Sequence, residues 1–268
     1  MRPCPLLEGE EKENQEHKLL YADGTKAHGI GKDNELRVAF ALEEGKKKLL
    51  CCRVNRSWEE IQEQIAGELA DDFTLIADGE KGLQVLLKDK EKSQYQLCLN
   101  HAGRYTNYSL WKDGIGKKQR GKIVGRVASI LFTLKNSVLK HLKDKEHLKH
   151  RVDWAVEELK MLYKVVKEFS WSTAKFLRKV SNHSVTFARI CYQRGKLIPW
   201  NNNLIERLMG ELSKRIKHKW MHWSTRRLEA IANLILLRYT EGGRDIVDSG
   251  ISCLVVIELL IFRLAFVV

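Results

Sequence analysis

Three acidic side chains, far apart along the chain, are placed to do chemistry together: Asp23, Asp78 and Glu206. Asp23 and Asp78 each close a short apolar run and each precede a glycine, in Leu19-Leu20-Tyr21-Ala22-Asp23-Gly24 and in Phe73-Thr74-Leu75-Ile76-Ala77-Asp78-Gly79. In sheets fed by helices, ligand-binding residues collect at the ends of strands. Asp-Gly is also a common turn signal, so either pair taken singly has a purely conformational explanation. Glu206 follows Asn203 by three residues, within a segment where Leu204, Ile205, Leu208 and Leu212 recur at helical spacing. Asn203 is the expected N-cap of that helix. Glu206 then either answers the helix dipole from the first turn or projects toward the two aspartates as a metal ligand. Carboxylates suit hard divalent cations that keep some of their water. Two such ions, about 3.5–4 Å apart, activate a water or hydroxyl and stabilise the leaving oxygen in phosphoryl transfer.

The elements needed to position these residues are legible. Residues 17–22, 35–42, 48–54, 73–77 and 95–99 read as strands from their apolar runs and bounding turn residues. Ser57-Trp58-Glu59-Glu60 is a capping-box pattern that opens a helix to about residue 69, and a second helix is expected over 81–87. The first three strands have short connections and should be antiparallel; the last two are joined through helices and should be parallel neighbours. This is an α/β arrangement, in the order expected of an RNase H-like mixed sheet flanked by helices. From residue 104 to about 196 the texture is helical, with expected helices over 117–142, 146–168 and 173–192. After a break at 195–199 come the Glu206 helix and another over 225–238. The domain reading is a lead-in (1–16), a first core part (17–101), a helical insertion (102–199), the C-terminal helices of the core (200–241) and an apolar tail (242–268).

Composition restricts the class. The 268 residues are 44% hydrophobic, which permits a proper core and argues against wholesale disorder. A formal charge of +13 points to a polyanion, most often nucleic acid. Between Arg104 and Lys160 there are fourteen Lys/Arg against six Asp/Glu, so these helices can lie along a phosphate backbone or simply form a solvated face. Arg207, Lys214, Arg215, Lys217 and Lys219 add a second basic group next to the Glu206 helix, the expected DNA contacts. Trp220 and Trp223 beside it either stack on bases or pack under the helices. Six scattered cysteines match no disulfide framework and no paired CxxC zinc site; reduced thiols and an intracellular, cytoplasmic protein are expected. Residues 251–268 are strongly apolar, but Glu258 near the middle disfavours a membrane span.

Four stretches together resemble one family. Tyr21-Ala22-Asp23-Gly24-Thr25, Ile76-Ala77-Asp78-Gly79-Glu80-Lys81-Gly82-Leu83, Cys98-Leu99-Asn100-His101 and Asn202-Asn203-Leu204-Ile205-Glu206-Arg207 are similar, in order, to the motifs of DDE transposases of the Mutator-type superfamily. That family serves bacterial and archaeal insertion sequences and plant transposable elements. The resemblance spans roughly residues 17–241. It implies an RNase H-like core with an all-helical insertion and metal-dependent DNA strand cleavage and strand transfer during transposition. It further implies Asp23, Asp78 and Glu206 as catalytic ligands of two Mg²⁺ or Mn²⁺ ions, with Glu211 as a spare, and homo-oligomers on element-end and target DNA. Cys98 and His101 match the family's C-x2-H signature; a role in DNA contact or site architecture is expected over zinc binding, since no second ligand pair is evident. Only twenty-two residues precede Asp23, where the family carries a sizeable end-recognition region, so an N-terminally truncated transposase is expected. The rival readings are a DNA-binding remnant that no longer recombines and, more weakly, a basic protein anchored by its apolar tail.

Overall fold

The computed structural model describes residues 18–43, 45–80, 82–218 and 221–240. Its centre is a mixed five-stranded sheet in the order β3-β2-β1-β4-β5. The strands are β1 (Lys18–Ala27), β2 (Asn34–Glu43), β3 (Lys46–Val54), β4 (Phe73–Ala77) and β5 (Gln94–Leu97). β1 pairs antiparallel with β2 and β2 with β3, while β4 runs parallel to both β1 and β5. The expected mixed α/β sheet is therefore present. Leu19, Leu20, Tyr21 and Ala22 are buried in succession, as is all of β4, so the middle of the sheet is covered on both faces.

Helix α1 (Trp58–Ile65) starts on the expected capping box: Glu60 N–H donates to Ser57 Oγ at 3.2 Å, and Ser57 N–H donates to Glu60 Oε2 at 2.7 Å. The insertion comprises α2 (Leu99–Lys112), α3 (Lys117–Lys140), α4 (Lys145–Lys167), α5 (Trp171–His183) and α6 (Thr186–Arg194). Helix α4 packs against α3, α5 and α6, and both α5 and α6 rest on β5. Helix α7 (Asn203–Ile216) lies against β1, and α8 (Thr225–Thr240) against α7 and β3.

Several boundaries differ from the sequence reading, each for a tertiary reason. β1 does not stop at Ala22; its pairing with β2 continues to Ala27 opposite Asn34, so Asp23 sits inside a strand. Residues 83–87 form a 3-10 turn (Leu83–Leu87) rather than an α-helix; it opens on Gly82 at φ +90°. The helix expected over 173–192 is two. It breaks between His183 and Thr186 because buried Gln96 of β5 grips the break: Gln96 Nε2 donates to Ser184 O at 3.4 Å, and Phe187 N–H donates to Gln96 Oε1 at 2.7 Å. Helix α2 begins at Leu99, immediately after β5, so the 101/102 boundary falls within it. The N-cap of α7 is Asn202, not Asn203, and its side chain makes no capping bond.

Candidate metal centre

Asp23 and Asp78 are brought together by strand register. The parallel pairing of β1 with β4 ends at Tyr21 opposite Ile76. Two residues further along each strand, on the same face by the period of two, stand Asp23 and Asp78. Asp78 thus lies at the end of β4, and Asp23 lies where β1 runs on past its parallel neighbour. Gly24 N–H donates to Asp23 Oδ1 at 2.8 Å, and Glu80 N–H donates to Asp78 Oδ1 at 2.9 Å. Gly79, at φ +101°, makes this tight turn possible; a Cβ there would meet Leu97 Cδ1 at 2.8 Å.

That turn folds Glu80 back toward β1. Carboxylate oxygens of Asp23, Asp78 and Glu80 all lie within 4.8 Å of one another. A Cβ on Gly24 would stand 3.0 Å from Glu80 Oε2, which shows how closely Glu80 approaches the strand. Trp58 Nε1 donates to Glu80 Oε1 at 2.9 Å, and Arg37 Nε lies 3.9 Å from the same oxygen. Burial, then the neighbouring Asp78 charge, pushes the Asp23 carboxyl up to about 7 against the pull of the Gly24 amide; Glu80 and Glu206 push the same way. Burial also raises Glu80, with the Trp58 bond opposing it. Glu80 was not among the candidate ligands drawn from the sequence. The signal was there, in Asp78-Gly79-Glu80: a glycine free to adopt positive φ lets a second carboxylate turn back beside the first.

Glu206 approaches from the other side. Helix α7 buries Ile205, Leu208 and Leu212 and carries Glu206 in its first turn, about two-fifths exposed. Its charge reaches Asp23, but it lies outside the close trio. Glu206 Oε1 is instead 3.5 Å from His101 Nδ1, a nitrogen that is buried and makes no hydrogen bond. The Cys98–His101 stretch docks the start of α7: Leu99 N–H donates to Trp200 O at 3.0 Å, and Asn100 Nδ2 donates to Asn203 Oδ1 at 3.3 Å. The Cys98 thiol is buried, which raises it, while the amides of Asn202, His101 and Asn100 oppose the rise. Among the described residues neither Cys98 nor His101 joins a group of three possible metal ligands.

The insertion also reaches the site, through residues that sequence reasoning did not single out. Tyr105 of α2 donates its hydroxyl to Asp78 Oδ2 at 2.8 Å, and Lys179 of α5 donates to Gly79 O at 3.1 Å. Burial and the Asp78 charge raise the Tyr105 phenol; burial lowers Lys179 against the pull of Asp78. Burial lowers His183 to about 4, helped by the nearby Lys179 and Arg189.

The basic group at α7 divides. Arg207, Lys214, Arg215 and Lys217 are all exposed, but Glu211 engages both Lys214 and Arg215, and Arg215 also reaches Tyr239. Glu211 is held by that pair, which lowers its carboxyl to about 2, and it lies outside the close trio. Lys219 and Trp220 lie outside the described residues, as do residues 1–17 and the apolar tail. Trp223 packs rather than stacks: its Nε1 donates to Ile216 O at 2.9 Å and its backbone bridges Gly29. Among the described residues, open aromatic rings lie elsewhere, on Tyr108, Trp111, Phe132 and Trp171, each more than half exposed, on α2, α3 and α5. Cys51, Cys52, Cys98 and Cys191 are buried free thiols, as expected. Among the described residues no helix is long and apolar enough to cross a membrane. Compared with known proteins, the chain matches no protein-family model and no curated protein.

Proposed function

We propose that this chain is a metal-dependent enzyme of DNA strand cleavage and strand transfer, built on an RNase H-like core and acting as an insertion-sequence transposase of the Mutator type. The observation that carries the proposal is the meeting within 4.8 Å of Asp23 on β1 with Asp78 and Glu80 in the turn that follows β4, with Glu206 on a helix whose charge reaches Asp23. The strand order, with three antiparallel strands followed by two parallel ones, supports the RNase H-like reading.

The donor set fits divalent magnesium or manganese. It is all carboxylate oxygen, the preference of hard cations. Asp23, raised to about 7 by burial and then by the like charges of Asp78, Glu80 and Glu206, marks a place where added positive charge relieves the cost of ionisation. Asp23, Asp78 and Glu80 would hold one ion, and Glu206 stands where it can complete the site for a second. When bound, such ions supply an activated water or hydroxyl and stabilise the departing oxygen. In cleavage, water attacks phosphorus and the P–O3′ bond breaks, leaving a 3′-hydroxyl and a 5′-phosphate; in strand transfer, that hydroxyl attacks a second phosphodiester, whose own P–O3′ bond breaks and releases a new 3′-hydroxyl. The chain's own part is to orient the carboxylates through the Gly24 and Glu80 amides, and to hold DNA by charge. Exposed Lys117, Lys118 and Lys122 on α3 and Arg207 on α7 suit phosphate contact, and the open rings of Tyr108, Trp111 and Trp171 suit stacking on bases. Active assemblies of this kind are expected to be homo-oligomers.

One observation favours a second reading, DNA binding without cleavage: Glu206 is paired toward His101 and lies outside the trio. A cleavage assay separates them. Labelled DNA with Mg²⁺ or Mn²⁺ should be nicked by the native chain and left intact by Asp23→Asn. Salt-sensitive binding with no nicking by either protein would establish the second reading instead.

A further inference from the structure

The helical insertion does more than present positive charge. Two of its helices hold the Asp78 turn. Asp78 has both carboxylate oxygens engaged: Oδ1 accepts from the Glu80 amide at 2.9 Å and Oδ2 from the Tyr105 hydroxyl at 2.8 Å. Together these two bonds fix the plane of the carboxylate, and each oxygen keeps a further lone pair for a cation. The Tyr105 ring is itself clamped. His101 lies against it at 5.5 Å between centroids, and Phe176 of α5 meets it edge-on at 5.9 Å. Next to Asp78, the Gly79 carbonyl accepts from Lys179 Nζ at 3.1 Å. Tyr105 sits one helical turn beyond His101, so a single helix contacts both the Asp78 side and the Glu206 side of the centre.

We propose that Tyr105 is a positioning residue for the carboxylate centre, that it sets the orientation of Asp78 toward a bound divalent cation, and that Lys179 supports it by pinning the Gly79 peptide. The inference rests on the reading that Asp23, Asp78 and Glu80 take a divalent cation. It assigns to the insertion a part in building the centre itself.

The test is Mn²⁺ binding by the full-length chain, followed by the electron paramagnetic resonance signal of free Mn²⁺, with the metal-free melting temperature recorded in parallel. Hydrogen-bond partners of metal ligands typically contribute about 10–100-fold to metal affinity. Tyr105→Phe keeps the ring and removes only the hydroxyl; it should weaken Mn²⁺ binding roughly tenfold, at the low end of that range. Lys179→Met should weaken it by a smaller factor. Tyr163→Phe, on α4 and with no part in the centre, should leave affinity unchanged. Equal affinity in native protein and Tyr105→Phe, or tighter binding in the variant, would overturn the positioning role while leaving the metal reading intact. Absence of Mn²⁺ binding by the native chain would remove both. Should Tyr105→Phe melt early, Lys179→Met decides: unchanged affinity there overturns the proposal.

Discussion

The two halves of the centre are held by different means. Asp23 and Asp78 are fixed by backbone: adjacent parallel strands, amide bonds to Gly24 and Glu80, and a glycine turn that admits no side chain. Glu206 is fixed by packing. Its helix rests on β1, and among the described residues its carboxylate is approached by His101 at 3.5 Å. A strand pair has little freedom once its register is set. A packed helix shifts by an ångström or two at small cost. Under the proposed function, the first half is preformed for a cation and the second is the adjustable one that completes the site.

The sharpest way to break that comparison is to remove one carboxylate from each half. Asp78→Asn should abolish measurable Mn²⁺ binding and lower DNA cleavage by at least about 10²-fold, the usual scale for losing one electrostatic contact to the reacting group. Glu206→Gln should keep the first Mn²⁺ and lose cleavage; titration of bound ions beside a nicking assay checks both. Equal cleavage by Glu206→Gln and native chain would remove Glu206 from the catalytic set.

A second prediction loosens the adjustable half alone. Ile205 is fully buried under α7. Ile205→Ala should cost about 2–5 kcal/mol, from lost burial and the cavity left behind, as read from urea unfolding. Affinity for the first Mn²⁺ should survive at concentrations where the variant stays folded, because Asp23 and Asp78 are held by the pairing of β1 with β4 and by the Gly24 and Glu80 amides.

The third concerns pH. Asp23 is raised to about 7 in the folded chain, against about 3.9 when unfolded. The folded state therefore binds this proton more tightly than the unfolded state does. Metal-free protein should gain stability from this group as pH falls from about 7 toward 4, and lose it as pH rises through 7. Melting curves in chelator should show this slope, and Asp23→Asn should flatten it. Saturating Mn²⁺ should flatten it as well, since the cation competes with the proton.

The strand-borne half was also the more legible. Apolar runs ending in Asp-Gly located Asp23 and Asp78, and short connections against helical ones predicted which strands pair antiparallel and which parallel. The helical periodicity of Leu204, Ile205, Leu208 and Leu212 placed Glu206 on a helix facing the sheet. Contacts that depend on three dimensions were not legible. Tyr105 and Lys179 reach the Asp78 turn from helices whose sequence looks like ordinary basic surface. The break at Ser184 comes from Gln96 on β5, far away in the chain. The capping role of Asn203 failed by one residue because α7 starts where Trp200 and Asn203 tie it to α2, a constraint local sequence does not carry. Lys214 and Arg215 looked like free phosphate contacts, yet Glu211, three and four residues before them, engages both.

The most direct measurement is anomalous diffraction from crystals of the chain soaked in Mn²⁺. The account predicts a manganese peak in contact with carboxylate oxygens of Asp23 and Asp78, with Glu80 closing the same ion and Glu206 facing it. A manganese-soaked crystal with no peak between Asp23 and Asp78, or with its only peaks on remote acidic surface, would contradict it.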